Sequence, residues 1–494
     1  MDLRMFVDGE WRGARSGSVS AATSPATGEV IGSVPAGDRT DAREAIDSAR
    51  RAAARWARMS AFDRAGLLHR VADVIEGRRG TLARTLTLDQ GKPLGEANDE
   101  VDELIVYWRM AAEDGKRLGG LLPPSSGPGK RALLVRRPRG VVGVITPWNW
   151  PYTMPAELIA PALAAGNTVV WTPAPSTSVA AIALAGCVAE ADLPPGVLNL
   201  VTGPGPVVGN EIAAHPGVDA VAFIGSTATG RLVAQAAAGK ATLLEMGGNG
   251  PLVVLDDADL DRAVEGALTA CFLCAGQSCT AGERLLVHEA VHDEFAERLV
   301  TAVRKQVRLG DPFDETTTMG PLNNPAVAAK MLAHVADAVG RGARVRTGGA
   351  ALGGFPTDLY WPATVLTGVP VEALAATEET FGPIAPIVRV GGLEEAIELT
   401  NASRYGLLAA VYTADLQRGL DFADAVRTGW VNINESTNYW ESHLPFGGRA
   451  GSASGLGRVG GAHPMETFTE LQTVIIGGRQ LSAAGRGRAR TAES

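Results

Sequence analysis

The sequence predicts an α/β protein built around two mainly parallel sheets, and two observations carry this prediction. From residue 141 onward, short apolar segments of strand length alternate with longer segments of helical periodicity, a pattern typical of strands joined by crossover helices. A second alternating set begins after residue 246. With 494 residues, of which 46% are hydrophobic and 20% charged, the chain can bury large cores and divide into two or three domains.

Two helices are expected before the alternation starts. Between residues 41 and 56, the apolar positions recur with the i, i+3, i+4 spacing that places them on one face of a helix. A second helix is predicted from residue 61 to residue 75. Both belong to the first predicted domain.

The first alternating set predicts a Rossmann-like dinucleotide domain, because its strands follow one another through intervening helices. The predicted strands span 141–146, 168–171, 197–201 and 220–224, and the predicted helices span 157–166 and 179–190.

The second alternating set predicts a second α/β domain. It includes strands at 251–255 and 284–288, a helix from about residue 261, and a helix at 291–305. One further segment, GLLPPSSGPGK at 120–130, has the Pro, Gly and Ser content of a loop. The strand-like RALLVRR that follows has too few neighbouring strands to fold alone, and we interpret it as an arm that pairs with another subunit.

Charge and hydropathy restrict the possible partners. The formal net charge of −9 disfavours nucleic acid and anionic membrane surfaces, since both attract basic faces. The first residues lack the apolar core of a signal peptide, and no apolar run reaches the roughly 18 residues that suggest a spanning helix. We therefore expect a cytoplasmic protein whose ligand is a small molecule, with no nucleic acid and no membrane partner.

Three of the four cysteines, Cys271, Cys274 and Cys279, lie within nine residues. Four cysteines are too few for a disulfide framework in a chain of this length, and they agree with a reducing compartment. Cys271 and Cys274 have the spacing of a zinc-ligand pair, but a structural zinc site needs four ligands and no second pair is present. We therefore expect no metal. Cys279, in GQSCTAGER (276–284), lies between small and polar residues at the end of an apolar stretch, which favours a thiol open to a cleft.

Three other motifs place polar or glycine residues after apolar strands. In LLEMGGNGP (243–251), the strand ends on Glu245, which by itself is ordinarily a solvated carboxylate. In GVVGVITPWNWP (140–151), Asn149 lies in a turn where its amide can be a fixed donor or can simply stabilise the turn. In FIGSTATGR (223–231), two glycines open a helix, and the arrangement resembles an anion site made of backbone N–H groups.

The order of these motifs, together with EETFGP (378–383) and LPFGG (444–448), closely resembles the aldehyde dehydrogenase superfamily. The resemblance extends from about residue 6 to residue 476, and six motifs in this order are far more specific than any one of them. It implies an enzyme that oxidises an aldehyde to a carboxylic acid with NAD or NADP.

The resemblance also implies catalytic roles. Cys279 matches the family nucleophile, whose thiolate attacks the aldehyde carbon to give a thiohemiacetal and, after hydride loss, a thioester. Asn149 matches the side chain that stabilises the oxyanion together with the backbone N–H of Cys279. Glu245 matches the base that activates water, and its presence favours hydrolysis to a free acid over transfer to coenzyme A.

The cofactor residues show a departure from the family. After its third strand the family usually has Lys-Pro-x-Glu, in which lysine and carboxylate bind the adenine ribose, whereas this chain has Thr172 and Pro175 at those two positions. A carboxylate at Pro175 would select NAD over NADP. Because both ribose anchors are missing, we hypothesise dual or relaxed use of NAD and NADP. The positions that match cofactor contacts are Ile145, Trp148, Thr172, Gly225, Ser226, Gly230, Glu379 and Phe381.

The resemblance does not identify the aldehyde that the enzyme oxidises. Arg109 and His443 could meet an anionic group, as in semialdehyde dehydrogenases, whereas Trp150 and Trp440 suit a flat or aliphatic substrate. The carboxylate of Glu157 complicates both interpretations, and each of these residues could instead belong to the core. The expected substrate pocket contains Arg109, Trp150, Glu157, Ser278, Thr280, Trp440 and His443, with Leu273, Tyr107 and Trp108 nearby.

Two alternatives remain open at this point. One is a non-catalytic dinucleotide-binding protein on the same fold, which the missing ribose anchors favour. The other is a thiol-redox or metal-binding protein built on the clustered cysteines. A second departure, at 448–461, replaces the usual shorter turn that contains lysine, and we assign it to packing and subunit contact.

The resemblance completes the domain prediction. The arm is expected to join subunits into a homodimer or a homotetramer. The predicted divisions are a dinucleotide-binding domain at 1–118 and 139–246, a catalytic domain at 247–445, a small β oligomerisation arm at 119–138 and 446–480, and a mobile tail at 481–494.

Overall fold

The computed structural model describes residues 3–477, so the predicted tail at 481–494 lies outside the described residues. This range contains nineteen strands and fifteen α-helices. The strands are β1 (Met5–Val7), β2 (Glu10–Arg12), β3 (Val19–Thr23), β4 (Val30–Pro35), β5 (Lys130–Pro138), β6 (Val141–Ile145), β7 (Thr168–Thr172), β8 (Leu198–Leu200), β9 (Ala220–Ile224), β10 (Ala241–Glu245), β11 (Gly250–Val254), β12 (Gly282–His288), β13 (Arg344–Thr347), β14 (Thr364–Thr367), β15 (Ile384–Val390), β16 (Leu408–Tyr412), β17 (Trp430–Ile433), β18 (Gly455–Leu456) and β19 (Thr469–Gly477). The helices are α1 (Arg39–Arg58), α2 (Ala61–Gly77), α3 (Arg79–Gln90), α4 (Leu94–Gly115), α5 (Thr153–Ala164), α6 (Ser178–Glu190), α7 (Val208–Ala214), α8 (Thr227–Ala236), α9 (Leu260–Phe272), α10 (His292–Gln306), α11 (Pro325–Gly340), α12 (Leu374–Thr377), α13 (Leu393–Ala402), α14 (Leu416–Ala425) and α15 (His463–Phe468).

The first sheet confirms the Rossmann-like prediction. Its strands lie in the order β18-β10-β9-β6-β7-β8-β1-β2, and the five strands from β10 to β8 run parallel. The four predicted strands, β6 to β9, differ from the observed bounds by no more than one residue at either end. Helices cover both faces, so the carboxyl ends of the parallel strands meet along one edge, where ligands bind in such sheets.

Helix α5 begins at residue 153, four residues before the predicted start. The cause is a long-range contact: the carboxylate of Glu100 accepts hydrogen bonds from the N–H groups of Tyr152 at 2.8 Å and Thr153 at 3.3 Å. These bonds satisfy donors at the helix start that have no partner inside the helix. The local pattern therefore contained no indication of the true start.

The second sheet has seven strands in the order β13-β14-β15-β12-β11-β16-β17. All neighbouring pairs are parallel except β13 with β14. The predicted strand at 251–255 corresponds to β11, and the predicted helix at 291–305 corresponds to α10, each displaced by one residue. β11 and β12 lie at the centre of this sheet, and the loops before each of them reach the site described below.

The predicted arm at 119–138 and 446–480 contains strands with two different partners. β5 pairs antiparallel with β19 of the same chain over nine residues, so the strand-like segment after residue 130 has an intrachain partner. β18, which falls within the predicted arm at 446–480, pairs instead with β10 of the first sheet.

No helix within residues 3–477 has both the length and the apolar content needed to cross a bilayer.

Gly455 holds β18 against the strand that ends on Glu245. Its φ is +106°, and an added Cβ would lie 1.9 Å from the carbonyl oxygen of Leu244. We expect Gly455→Ala to separate β18 from β10 and to destabilise the protein by about 2 kcal/mol, because backbone strain and lost pairing add. Scanning calorimetry should show a Tm lower by a few degrees. Gly205→Ala is the matched control, since no atom lies within 4 Å of its added Cβ; equal Tm values for the two variants would contradict the prediction.

Candidate active site

A strained turn leads into Cys279. After α9 the chain passes through Cys274 and Ala275 with φ of 52° and 54°, values that non-glycine residues seldom adopt, and through Gly276 with φ of 69°. The backbone N–H of Cys274 donates to both carboxylate oxygens of Glu96 at 3.2 Å. Such a turn persists only where surrounding contacts hold it, and here they direct the chain back into a cleft between the two sheets.

Gln277 fixes the segment between this turn and Cys279. Its side-chain amide donates to the carbonyl of Cys274 at 2.9 Å, and its side-chain oxygen accepts from the N–H of Asn323 at 2.8 Å. The carbonyl of Gln277 accepts from Asn149 Nδ2 at 3.0 Å. Because an amide nitrogen carries two protons, Asn149 keeps one for the cleft that it lines with Cys279.

Glu245 reaches the same cleft from the end of β10. Its side chain is buried and interacts with the thiol of Cys279. Within residues 3–477, its Oε1 atom has no hydrogen-bond partner. Burial is the main cause that raises the pKa of Glu245 to about 8, and the carboxyl of Glu157 adds to the effect. A buried carboxyl with a free oxygen can hold and deprotonate a water molecule.

The loop after Glu245 passes directly over the nucleophile. A Cβ added to Gly248 would lie 2.2 Å from the carbonyl oxygen of Cys279, so only glycine permits this approach. The N–H of Gly248 donates to Glu379 Oε1 at 2.9 Å, and Ser454 Oγ donates to the carbonyl of Gly247 at 2.7 Å. The backbone immediately after Glu245 is therefore held by hydrogen bonds to both Glu379 and Ser454.

The surroundings of Cys279 favour the protonated form of its thiol. Burial first, and then the carboxyl groups of Glu245, Glu379 and Glu157, raise its pKa well above the usual value. The thiolate is the nucleophilic form, so the site needs a base for the thiol proton. Glu245 is the buried carboxyl in contact with that thiol.

The wider part of the cleft suits a dinucleotide. Ser226 caps the ten-residue helix α8, whose first turn faces the cleft and provides N–H groups for an anion. The ring of Trp148 packs edge-on against Phe381, with centroids 5.4 Å apart, and Glu379 lies beside them. The N–H groups at the start of α8 could bind a pyrophosphate, and the aromatic pair could pack against a flat ring.

Five predicted cofactor residues line this cleft, whereas three do not. Ile145 and Thr172 are paired neighbours at the carboxyl ends of β6 and β7, outside the cleft lining. The N–H of Gly230 already donates to Ser226 O, and a Cβ there would lie 2.2 Å from Met246 Sδ. Helix packing alone accounts for a glycine at position 230, and its cofactor contact stays a prediction. The five lining residues are Trp148, Gly225, Ser226, Glu379 and Phe381.

A narrower chamber opens on the other side of Cys279. The rings of Trp150 and Trp440 meet nearly at right angles, at 84°, with centroids 6.1 Å apart. Tyr107, outside the lining, donates a hydrogen bond to Glu157 inside it. Five residues of the expected substrate pocket line the chamber together with Cys279 and Glu245: Trp150, Glu157, Ser278, Thr280 and Trp440.

Arg109 and His443 are corrections to the expected pocket. Arg109 lies on the solvent side of α4, where its guanidinium pairs with Glu76 at 2.7 Å and Asp73 at 3.4 Å. The side chain of His443 is 61% exposed and faces Glu441. Neither lines the cleft or the chamber. Trp108 and Leu273, also expected nearby, pack in or against the first hydrophobic core.

The other cysteines do not extend the site. Cys187, Cys271 and Cys274 are buried and none is in a disulfide. The thiol of Cys271 donates to Gly282 O at 3.2 Å, while that of Cys274 faces the carbonyl of Asn149 at 3.7 Å. Among residues 3–477, no group of three or more His, Cys, Asp and Glu side chains could hold a metal ion.

Comparison with known proteins agrees with this geometry. The sequence model of the aldehyde dehydrogenase family matches residues 11–474. A succinate-semialdehyde dehydrogenase (NADP+) of Escherichia coli strain K12 is 41% identical over 476 residues, which are 96% of this chain and 97% of that protein. A glutarate-semialdehyde dehydrogenase of Pseudomonas aeruginosa is 40% identical, with coverage of 96% and 97%. The crystal structure of a succinate-semialdehyde dehydrogenase from Burkholderia pseudomallei superimposes with a TM-score of 0.94 at 39% identity, over 97% of this chain and 98% of that chain.

The chain belongs to the aldehyde dehydrogenase family. It is an NAD(P)-dependent oxidoreductase that oxidises an aldehyde to an acid. In this aldehyde dehydrogenase, the start of α11 also lines the cofactor cleft, through Asn324, Val327 and Lys330. Lys330 Nζ donates to the carbonyl of Glu379 at 3.2 Å. No motif predicted this group, and its one local indication in the sequence is Asn324 before Pro325, a typical helix start.

The position of Arg109 leads to a test of the anion-pocket hypothesis. We expect Arg109→Ala to change kcat/KM for succinic semialdehyde and for butanal by less than about twofold, since the side chain lies outside the chamber and its exposed ion pairs contribute little. Trp440→Ala, which opens the chamber, should lower both values. Steady-state kinetics on the two variants provide the comparison. A selective loss with succinic semialdehyde in Arg109→Ala would contradict the placement.

Proposed function

We propose that Cys279, Asn149 and Glu245 together oxidise an aldehyde and release it as a free carboxylic acid. The observation that carries this proposal is the meeting, in one buried cleft, of a thiol, an amide with a proton to donate and a carboxyl with an unpartnered oxygen. A protein that only bound a dinucleotide would need none of these three groups. This supports the enzyme over the non-catalytic alternative.

The first half-reaction begins with proton transfer from Cys279 to Glu245. The thiolate then attacks the aldehyde carbon and forms a C–S bond, while the carbonyl oxygen becomes an alkoxide that accepts hydrogen bonds from Asn149 Nδ2 and the N–H of Cys279. NAD or NADP held in the wide cleft beside Trp148, Glu379 and Phe381 would supply the acceptor for the hydride that leaves this carbon. The C–O double bond re-forms, and Cys279 carries a thioester.

The second half-reaction is hydrolysis. Glu245, after losing the thiol proton to solvent, removes a proton from a water molecule as the water oxygen attacks the thioester carbon. The C–S bond breaks, the acid leaves, and the thiolate of Cys279 is restored. The free oxygen of the buried carboxyl supports this role for Glu245.

Cofactor binding is assigned to two groups of the wide cleft and to an adenosine end outside its lining. The first turn of α8, at Ser226, suits the pyrophosphate, and Trp148, Phe381 and Glu379 suit the nicotinamide ribose. At the adenosine end, Thr172 and Pro175 supply no charge, and Thr172 Oγ1 has no hydrogen-bond partner within residues 3–477. The chain therefore has neither the carboxylate that repels a 2′-phosphate nor the lysine that would attract one.

We also propose a homodimer or homotetramer that works in the cytoplasm. The ribbon of β5 and β19 has only two strands, too few to be stable alone, and it exposes Leu471, Ile475 and Ile476. Burial of this apolar edge against another subunit would stabilise it. The four free cysteines agree with a reducing compartment.

The role of Glu245 predicts a pH dependence. A base must be ionised, and burial raises the pKa of Glu245 to about 8, so kcat with butanal should rise as pH increases through about 8. In Glu245→Gln, kcat should fall by roughly 10²–10⁴-fold, the range for loss of a general base, and the rise should disappear. Cys279→Ala should abolish NADH formation, and exposed Glu76→Gln should keep the wild-type profile. A Glu245→Gln profile that still rises would remove Glu245 from this role.

The missing ribose anchors predict relaxed cofactor use. We expect the KM values for NAD and NADP to lie within about tenfold of each other, because no charged group selects between them. Pro175→Glu should raise the KM for NADP by at least about tenfold relative to that for NAD, through repulsion of the 2′-phosphate. Initial rates of NADH and NADPH formation over a range of cofactor concentrations measure both. A wild-type KM for NAD at least about tenfold below that for NADP would exclude relaxed use.

A further inference from the structure

The chamber beside Cys279 has carboxyl groups but no basic residue among the side chains that line it. Glu157 enters the chamber from α5, and Tyr107 donates to its Oε1 atom. Glu103 lies behind the chamber wall, where its Oε1 accepts from Trp440 Nε1 at 3.1 Å. The carboxyl of Glu103 adds to the burial that raises the pKa of Glu157, and both carboxyl groups add to the burial that raises the pKa of Tyr107.

The basic residues around the chamber are already paired. Lys92 Nζ lies 3.7 Å from the centre of the Trp150 ring, but it forms an ion pair with Glu100, and both side chains are fully buried. Its charge is therefore neutralised within the protein. Arg109 pairs with carboxylates on the surface. Among residues 3–477, the lining itself contains no basic side chain, and neither Lys92 nor Arg109 is unpaired and available for a substrate carboxylate.

The aromatic side chains of the lining also favour a cationic ligand over an anionic one. Trp150 and Trp440 present two rings set at 84° around a small volume that also contains the Glu157 carboxyl. A cation gains from contact with aromatic faces and from a carboxylate, whereas an anion gains from neither. Tyr107 holds one oxygen of Glu157, which orients the carboxyl and leaves the other oxygen for a ligand.

We infer that the aldehyde oxidised by this enzyme carries a positively charged ammonium group, bound by Glu157 between Trp150 and Trp440. This inference rests on the proposed function of Cys279, which lines the same chamber. The relatives described above are named for aldehydes that carry a carboxylate. Burial raises the pKa of both Glu157 and Glu245 to about 8, so a substrate ammonium would favour their ionised forms, whereas a substrate carboxylate would favour their neutral forms and find no positive partner in the lining.

The experiment compares three aldehydes in wild-type enzyme. 3-Aminopropanal and butanal have the same shape and differ in an ammonium or a methyl group, while succinic semialdehyde carries a carboxylate. We expect kcat/KM for 3-aminopropanal to exceed that for butanal by at least about tenfold, and that for succinic semialdehyde to be lowest. Equal values for 3-aminopropanal and butanal, or a preference for succinic semialdehyde, would overturn the inference.

Variants assign the preference to the chamber. Glu157→Gln should lower the ratio of kcat/KM between 3-aminopropanal and butanal at least about fivefold, whereas Glu76→Gln, on the surface, should leave it unchanged. Propylammonium should inhibit butanal oxidation competitively in wild type, and butyrate should not. These binding readouts do not depend on how well the variant folds. An unchanged ratio in Glu157→Gln, or stronger inhibition by butyrate, would contradict the assignment.

The outcomes separate this inference from the proposed function. If Cys279→Ala abolishes oxidation of butanal while 3-aminopropanal is not preferred, the catalytic proposal stands and the ammonium inference is wrong. If wild-type enzyme oxidises none of the three aldehydes with either cofactor, both are wrong.

Discussion

The left-handed turn at residues 274–276 is the constraint on which the active site depends. A Cβ added to Gly276 would lie 2.2 Å from the carbonyl oxygen of Gly382, so the turn packs directly on the loop that follows Glu379. That loop is held in turn by Glu283, whose carboxylate accepts from the N–H of Phe381. One backbone contact therefore couples the position of Cys279 to the position of the cofactor-cleft residues. A shift of either loop would change the distance across which a hydride has to move.

The segment at 448–461, interpreted above as a packing and subunit-contact segment, packs within the chain by adding a strand to the first sheet at the end of β10. The carbonyl of Ser454 accepts a hydrogen bond from the N–H of Met246, and the hydroxyl of Ser454 donates one to the carbonyl of Gly247. Both contacts lie immediately after Glu245. The unusual length of this segment thus supports the backbone that presents the proposed base.

Features that depend on local sequence patterns could be predicted, whereas features that depend on contacts between distant residues could not. β6 to β9 were predicted to within one residue because their pattern is local, and Cys279, Glu245 and Asn149 were predicted as catalytic because their motifs occur in the order that resembles the aldehyde dehydrogenase family. Arg109 was misplaced because proximity along a helix does not fix the face: it lies two residues after Tyr107, and residues at i and i+2 do not share a face. Glu103 and Lys330 were missed because only tertiary packing brings them to the site.

The charges of the chamber and the chemistry of the base are linked. Glu157 raises the pKa of Glu245, and both carboxyl groups raise that of Cys279. An uncharged or anionic substrate leaves this repulsion in place, so Glu245 stays largely protonated at neutral pH. Because burial raises the pKa of Glu157 as well as that of Glu245 to about 8, an ammonium group beside Glu157 would favour the ionised form of both carboxyl groups and lower both pKa values. A cationic substrate would in this way ionise the base that hydrolyses its own thioester, which gives a physical reason for a carboxyl group so close to the nucleophile.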